Sequence, residues 1–128
     1  FREASQNLIN ISRLGNKYLA EQEPWKLVKT EMDKVENIMY VAIQVTASLS
    51  ILSGPFLPFS SKKLKSLLNL SETDLKWNDL ININEIIKPG HIIKKPELLF
   101  KKIEDKEIDY QITKLNEKST VENSIKKK

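Results

Sequence analysis

No charged residue occurs from Asn37 through Ser61, and that run constrains the fold more than any other feature of the chain. Around and within it, Met32, Val35, Ile38, Met39, Ala42, Ile43, Leu49 and Leu52 form an apolar stripe at mostly three- and four-residue spacing. The spacing predicts one long helix from about Glu31 to Ser53, apolar on nearly all sides from Ile38 onward. Such a helix has to be covered, either by other helices or by lipid. A membrane span needs about 20 predominantly apolar residues. This run instead contains Gln44, Thr46, Ser48, Ser50, Ser53, Gly54 and two prolines. The expectation is therefore the central helix of a bundle, with no membrane partner.

The flanking sequence supplies helices to cover it. Phe1, Ala4, Leu8, Ile11, Leu14, Tyr18 and Leu19 recur with helical spacing over residues 1–22. Gly15 interrupts this pattern at a cost of about 1 kcal/mol relative to Ala, which close approach of a neighbouring helix would justify. Pro24 suits the first position of a new helical turn. Thr30, with Asp33 three residues on, resembles a capping box. Gly54-Pro55 ends the central helix, with Gly54 suited to a left-handed position. Pro58 opens a helix to about Leu70, and Ser71-Glu72-Thr73-Asp74 reads as the cap of a turn leading to Trp77. Pro89-Gly90 marks a turn, and Ile92-Ile93 a short extended piece. Leu98, Leu99, Phe100 and Ile103 read as a small apolar anchor. An all-α fold is expected: an antiparallel helical bundle with an irregular C-terminal extension. Bundle and packed extension occupy 1–103, a polar helix 104–117, and a linker or tail 118–128.

Several chemistries are excluded or unsupported. The chain has 128 residues, no Cys, one His and three Gly. Disulfides and thiol chemistry are absent. A His-rich metal site cannot be built, and there is no glycine-rich phosphate loop. Acidic pairs such as Glu104-Asp105 lie in a polar stretch, and no nucleophile-elbow pattern occurs. No catalytic residue is assigned, and His91 reads as a turn residue. The net charge of +4 comes from 21 bases and 17 acids. The surplus lies wholly in 61–103, which holds nine bases and five acids. A modest surplus permits attraction to a polyanion without establishing it. Trp77 reads as peripheral core. Trp25 stands at a helix junction beside Pro24, with Lys26 and Lys29 close behind. An aromatic face beside cations is what single-stranded RNA bases stack on, although a core position is the commoner fate of a lone Trp.

A family then emerges from specific residues. Arg13-Leu14-Gly15-Asn16-Lys17-Tyr18-Leu19, Glu21-Gln22 and Pro24-Trp25-Lys26-Leu27-Val28-Lys29 resemble the bacterial methionyl-tRNA synthetases. So do Gly54-Pro55-Phe56-Leu57-Pro58, Trp77, Pro89-Gly90-His91 and the run from Pro96 to Glu104. Order and spacing match the C-terminal anticodon-binding helical domain over about residues 1–117. The resemblance implies that Trp25 stacks on the first base of the CAU anticodon of methionine tRNA, and that Pro24 fixes the chain there and touches the same base. It implies contacts from Asn16, Lys17 and Arg13 upstream. Lys26 and Lys29 are either phosphate contacts or solvated charges. The family's upstream helix, with its base-reading Asn and Arg, has no counterpart here. Its His-Ile-Gly-His-type motif and Lys-Met-Ser-Lys-Ser-type loop are also missing. Lys62-Lys63-Leu64-Lys65-Ser66 reads as surface. The resemblance therefore implies a fragment that is not itself catalytic and holds no cofactor. ATP with Mg, and Zn, would belong to the parent's catalytic domain, which is also a partner of this domain in the same polypeptide. A cytoplasmic location is expected. Many members of the family carry, after a helix like 104–117, a barrel domain that often mediates dimerisation, and residues 118–128 would be the linker to one, a point the sequence leaves open. Two rivals stay open: a scaffold bundle that only docks onto the catalytic domain, and the same domain from a leucyl, valyl or isoleucyl enzyme.

Overall fold

The computed structural model describes residues 1–71, 77–81 and 85–125. They form helices α1 (Arg2–Gln22), α2 (Pro24–Leu27), α3 (Met32–Leu52), α4 (Pro58–Leu67) and α5 (Asp105–Ile125), with a short 3-10 helix, Trp77–Ile81, between α4 and α5. No strand occurs among the described residues, so the all-α expectation holds. α1, α2 and α4 all pack against α3. α3 is long and apolar enough to cross a membrane by length and composition, but it is the central helix of the bundle.

Small residues set the helix spacing. A Cβ on Gly15 would lie 3.1 Å from Val45 Cγ1, so the missing side chain lets α1 approach α3 closely. Leu8 of α1 meets Leu52 of α3 across a shared cleft, and Gly15 meets Val45, so the two helices run antiparallel. α4 also runs antiparallel to α3. Ser61 Oγ donates to the Ser50 carbonyl at 2.6 Å, while Leu64 and Leu68 lie against Ala47 further back along α3. Ser50 and Ser61 are both buried, and each hydroxyl has a partner, Ser50 Oγ donating to the Ala47 carbonyl at 2.7 Å. The core proper is Ala47, Leu68 and Ile87, with Ile43, Leu64, Leu70 and Ile86 around it.

Several local expectations are corrected. The Thr30–Asp33 capping box does not form. The N-cap is Glu31 with no side-chain cap, and the Thr30 hydroxyl turns back to the Leu27 carbonyl at 3.4 Å. Gly54 is not left-handed. Its value is space, since a Cβ there would meet the Ile51 carbonyl oxygen at 3.3 Å and Ser61 Oγ at 3.6 Å. The left-handed residues are Glu23 (φ 43°), Asn69 (φ 55°) and Gly90 (φ 82°). Asn69 ends α4: its N–H reaches the Ser66 carbonyl at 3.1 Å, and the Leu70 N–H reaches Lys65 at 3.0 Å. That is the Schellman pattern, with Leu70 folding back toward Leu64 in the core. Leu14 falls one residue, about 100°, from Gly15 on the helix, and it is exposed rather than part of the packed stripe.

The C-terminal extension is held by its backbone and polar groups. Pro89-Gly90 forms a turn closed by the His91 N–H on the Lys88 carbonyl at 3.1 Å, with Gly90 at the position that needs positive φ. His91 Nε2 then donates to the Leu68 carbonyl at 2.7 Å, and the Lys94 N–H to Leu67 at 2.8 Å. Both satisfy carbonyls that the end of α4 leaves without helical partners. Lys63 Nζ donates to the Leu98 carbonyl at 2.7 Å. The expected anchor is therefore largely not apolar: Leu98, Phe100 and Ile103 are exposed, and of the four residues only Leu99 is partly covered. α5 continues past the expected end at 117 to Ile125, there being no Gly or Pro in 118–125 to stop it. The cap drawn for Ser71-Glu72-Thr73-Asp74 lies, beyond Ser71, outside the described residues.

Candidate nucleic-acid interface

The junction of α1 and α2 builds the candidate site. α1 ends when Glu23 turns left-handed, its N–H still bonded to the Leu19 carbonyl at 3.0 Å. Pro24 follows as the first residue of α2 and is buried. Its ring needs no N–H partner there. The Lys26 N–H closes the turn on the Glu23 carbonyl at 2.9 Å. A non-glycine residue with positive φ directly before proline is an uncommon backbone. Its effect is to anchor Pro24 inward and turn the next side chain outward, leaving Trp25 62% exposed. The commoner core position is thus not the one Trp25 occupies.

The charged residues divide into two groups. Lys26 Nζ pairs with Glu23 at 2.7 Å, so its charge is partly balanced. Lys29 lies in the turn after α2 and is exposed. On α1, Arg13, Asn16 and Lys17 occupy positions three and four apart and so share one face. All three are exposed. Lys17 lies 3.7 Å from Glu21. Asn16 borders the seam between α1 and α3, with Gly15, Val45 and Thr46. Asn16 lies about 9 Å and Arg13 about 14 Å back along the helix from Gln22. Trp25, Pro24, Lys26 and Lys29 thus form one local cluster, and Arg13 is the outlying member of the set.

Two features escaped the sequence. Val28, one turn beyond Trp25, is 48% exposed and widens the apolar surface beside the indole. Its spacing from Trp25 was the available signal. The second is Gln44, the amide within the charge-free run. Its oxygen accepts from the N–H groups of Ile86 (2.9 Å) and Ile87 (3.2 Å), and its nitrogen donates to the Ile87 carbonyl at 2.5 Å. Beside it the Tyr40 hydroxyl donates to Glu85, and that carboxylate holds the phenol above its ordinary pKa. Trp77 is half-exposed and walls a cleft of about 200 Å³ with Ala4, Leu8, Ile11, Leu52 and Phe56. This is the peripheral place expected of it. Among the described residues no three or more His, Cys, Asp or Glu converge to hold a metal.

The fold and this junction define a class: a helical bundle that presents an aromatic residue and basic side chains on a short helix beside its central helix. Residues 1–119 match the family described as the anticodon binding domain of methionyl tRNA ligase. A methionine–tRNA ligase of Christiangramia forsetii is 52% identical over 125 residues, 94% of this chain and 18% of that protein. One from Flavobacterium psychrophilum is 46% identical over 128 residues, all of this chain and 18% of the relative. One from Bacteroides fragilis is 48% identical over 115 residues, 90% of this chain and 16% of the relative. The chain belongs to the anticodon-binding domain family of methionyl-tRNA ligases, and it spans less than a fifth of the length of these relatives.

Proposed function

We propose that this domain reads the CAU anticodon loop of methionine tRNA on behalf of a methionyl-tRNA ligase. Trp25 stacks on one anticodon base, and Pro24 holds the indole in place. Lys26 and Lys29 attach neighbouring phosphates, while Asn16, Lys17 and Arg13 contact the loop or its backbone from α1. The observation that carries this is the 62% exposure of Trp25 directly after a buried proline. An exposed indole is otherwise costly in water, and a stacked base covers both of its needs, area and a π-face. The amino-acid chemistry belongs to the remainder of the polypeptide, in the cytoplasm. ATP with Mg, and Zn, would be held there.

The test is Trp25→Ala in the full-length ligase. Stacking of one base is worth about 1–3 kcal/mol, so affinity for methionine tRNA should fall about 5- to 150-fold. Adenylate formation from methionine and ATP should not change. Unaltered tRNA affinity would refute the stacking. A docking role onto the rest of the polypeptide is the second reading. It is favoured by the exposure of Leu98, Phe100 and Ile103, and binding to the remaining domains with no affinity for RNA would single it out.

A further inference from the structure

The apolar run that makes α3 the central helix also shapes the end of the bundle away from Trp25. Ala4, Leu8 and Ile11 of α1, Leu52 of α3, Phe56 and Trp77 wall a cleft of about 200 Å³, with Asn7 as the polar residue among the described ones that line it. Ala4, Leu8 and Ile11 recur at three- and four-residue spacing, so they lie along one face of α1. Phe56 is held in the connection between α3 and α4. Its N–H bonds to the Ser53 carbonyl at 3.0 Å, and its ring meets that of Phe1 with centroids 5.0 Å apart. The mouth is open, since Ala4, Asn7 and Trp77 are exposed. Leu57 and Phe59, next along the chain, are exposed as well. An apolar cavity of about 150 Å³ lined by Leu, Ile and Phe accepts benzene. This cleft therefore takes one aromatic ring or one branched aliphatic side chain.

We propose that this cleft seats an apolar side chain from the remainder of the same ligase polypeptide. Three observations select that occupant. The chain spans less than a fifth of the length of its relatives, so a full-length ligase of this family places most of its polypeptide outside this domain. Seven described residues line the cleft, whereas a stable complex between separate proteins uses about 20–30 residues a side. A tethered partner needs no such area, because its docking is intramolecular and its effective concentration is high. A second copy of the chain lacks that advantage. Lastly, Ile11 and Ala4 lie about 15–30 Å back along α1 from Gln22, so an RNA loop on Trp25 leaves the cleft to another partner. The proposal does not rest on the RNA reading, and its surface is separate from Leu98, Phe100 and Ile103. With both ends occupied, α1 and α3 form a strut of fixed length between the anticodon loop and the docked remainder.

The experiment is limited proteolysis of the full-length ligase without tRNA, with the fragments identified by mass. Ala4→Glu puts a carboxylate at the mouth of the cleft. Position 4 lies in the first turn of α1, where an acid favours the helix, so the bundle keeps its own fold. Gln6→Glu is the control. Gln6 is exposed and lies about 160° around the helix from Ala4, so it adds the same charge on another face. Seating one large apolar side chain favours the docked form by a factor of about 10–150. Cleavage between this domain and the remainder tracks the undocked population when docking is fast. Ala4→Glu should therefore raise that cleavage about tenfold or more, and Gln6→Glu should leave it at the natural rate. Equal cleavage in all three proteins overturns the proposal. So does a rise shared by Gln6→Glu, which would be a general effect of charge, or new cuts within α1–α4, which would mean a loosened bundle. A dimer that Ala4→Glu dissociates, with cleavage unchanged, overturns it in favour of a second copy. An effect of Ala4→Glu that appears only with tRNA bound overturns it in favour of RNA. Trp25→Ala should weaken tRNA binding without altering cleavage. If Trp25→Ala changes nothing while Ala4→Glu frees the domain, the stacking falls and the docking stands.

Discussion

Gln44 shows how one polar side chain can organise an apolar helix. Both ends of its amide are used on Ile86 and Ile87, and Ile87 is a core residue. Gln44→Leu keeps the bulk and removes three hydrogen bonds, leaving two backbone amides and a carbonyl without partners. Half-buried groups deprived in this way cost about 2–3 kcal/mol in all. The urea midpoint of the variant should fall accordingly, and an unchanged midpoint would mean that water replaces the amide. Glu23 tests the opposite sign. Its left-handed backbone costs an L-residue about 1 kcal/mol or more, and only Gly adopts it freely. The exposed pair with Lys26 returns about 0.2–0.5 kcal/mol. Glu23→Gly should therefore stabilise the chain by about 0.5–1 kcal/mol. A destabilised variant would show that the ion pair outweighs the backbone strain.

At the scale of elements, α1, α3 and α4 were legible because each carries a 3.6-residue stripe and borders a proline or glycine. Pro24 and Pro58 do open α2 and α4, and Gly15 does sit where two helices touch. What was not legible depended on groups distant in sequence. Gly54 leaves room for Ser61 of α4 across the α3–α4 connection rather than forming a left-handed cap, and Asn69 rather than a glycine takes the left-handed position after α4. The anchor of residues 91–98 uses backbone carbonyls, which have no sequence signature. At the candidate site, the Pro-Trp step was visible, but the exposure of Trp25 follows from the conformation of Glu23, which no residue type announced. The α1–α3 contact yields a graded prediction. Gly15→Ala gains about 1 kcal/mol of helix propensity against a 3.1 Å contact with Val45, so its net effect should be small. Gly15→Leu has no room and should cost about 1–3 kcal/mol. Val45→Ala should turn Gly15→Ala into a clear gain in a double-mutant cycle, because the two sites touch. Simple additivity of the pair would refute the close packing.

Across the whole molecule, stability is distributed unevenly. α3 packs against three helices, although Met32, Met39, Tyr40 and Val41 stay exposed, whereas every residue of α5 from Asp105 to Glu117 is exposed except the partly covered Glu107. An isolated helix gains little from propensity alone, so the start of α5 depends on its first turn. There Glu107 accepts from Lys101 Nζ at 2.5 Å and from the Glu104 N–H at 3.2 Å, the reach-back half of a capping box. The Lys101 ammonium, and then the Glu104 amide, hold the Glu107 carboxyl below the usual carboxylate range. A group whose folded pKa is depressed supports the fold fully above its unfolded pKa and loses that support as pH falls through the folded one. The first turn of α5 should therefore be intact at neutral pH and loosen in acidic solution. α3 is held mainly by apolar packing and by neutral hydrogen bonds, with Glu85 on Tyr40 and the Lys34–Glu31 pair as its charged contacts, and should keep most of its protection over the same window. Hydrogen exchange compared over 32–52 and 105–117, corrected for the intrinsic pH dependence, reads this directly. Residues 105–117 should exchange far faster than 32–52 at every pH, and their protection should drop selectively on acidification. Glu107→Gln should show the low-pH behaviour already at neutral pH. Equal protection of the two segments, or a Glu107→Gln variant that still loses protection on acidification as the parent does, would mean that α5 is held by something other than this turn.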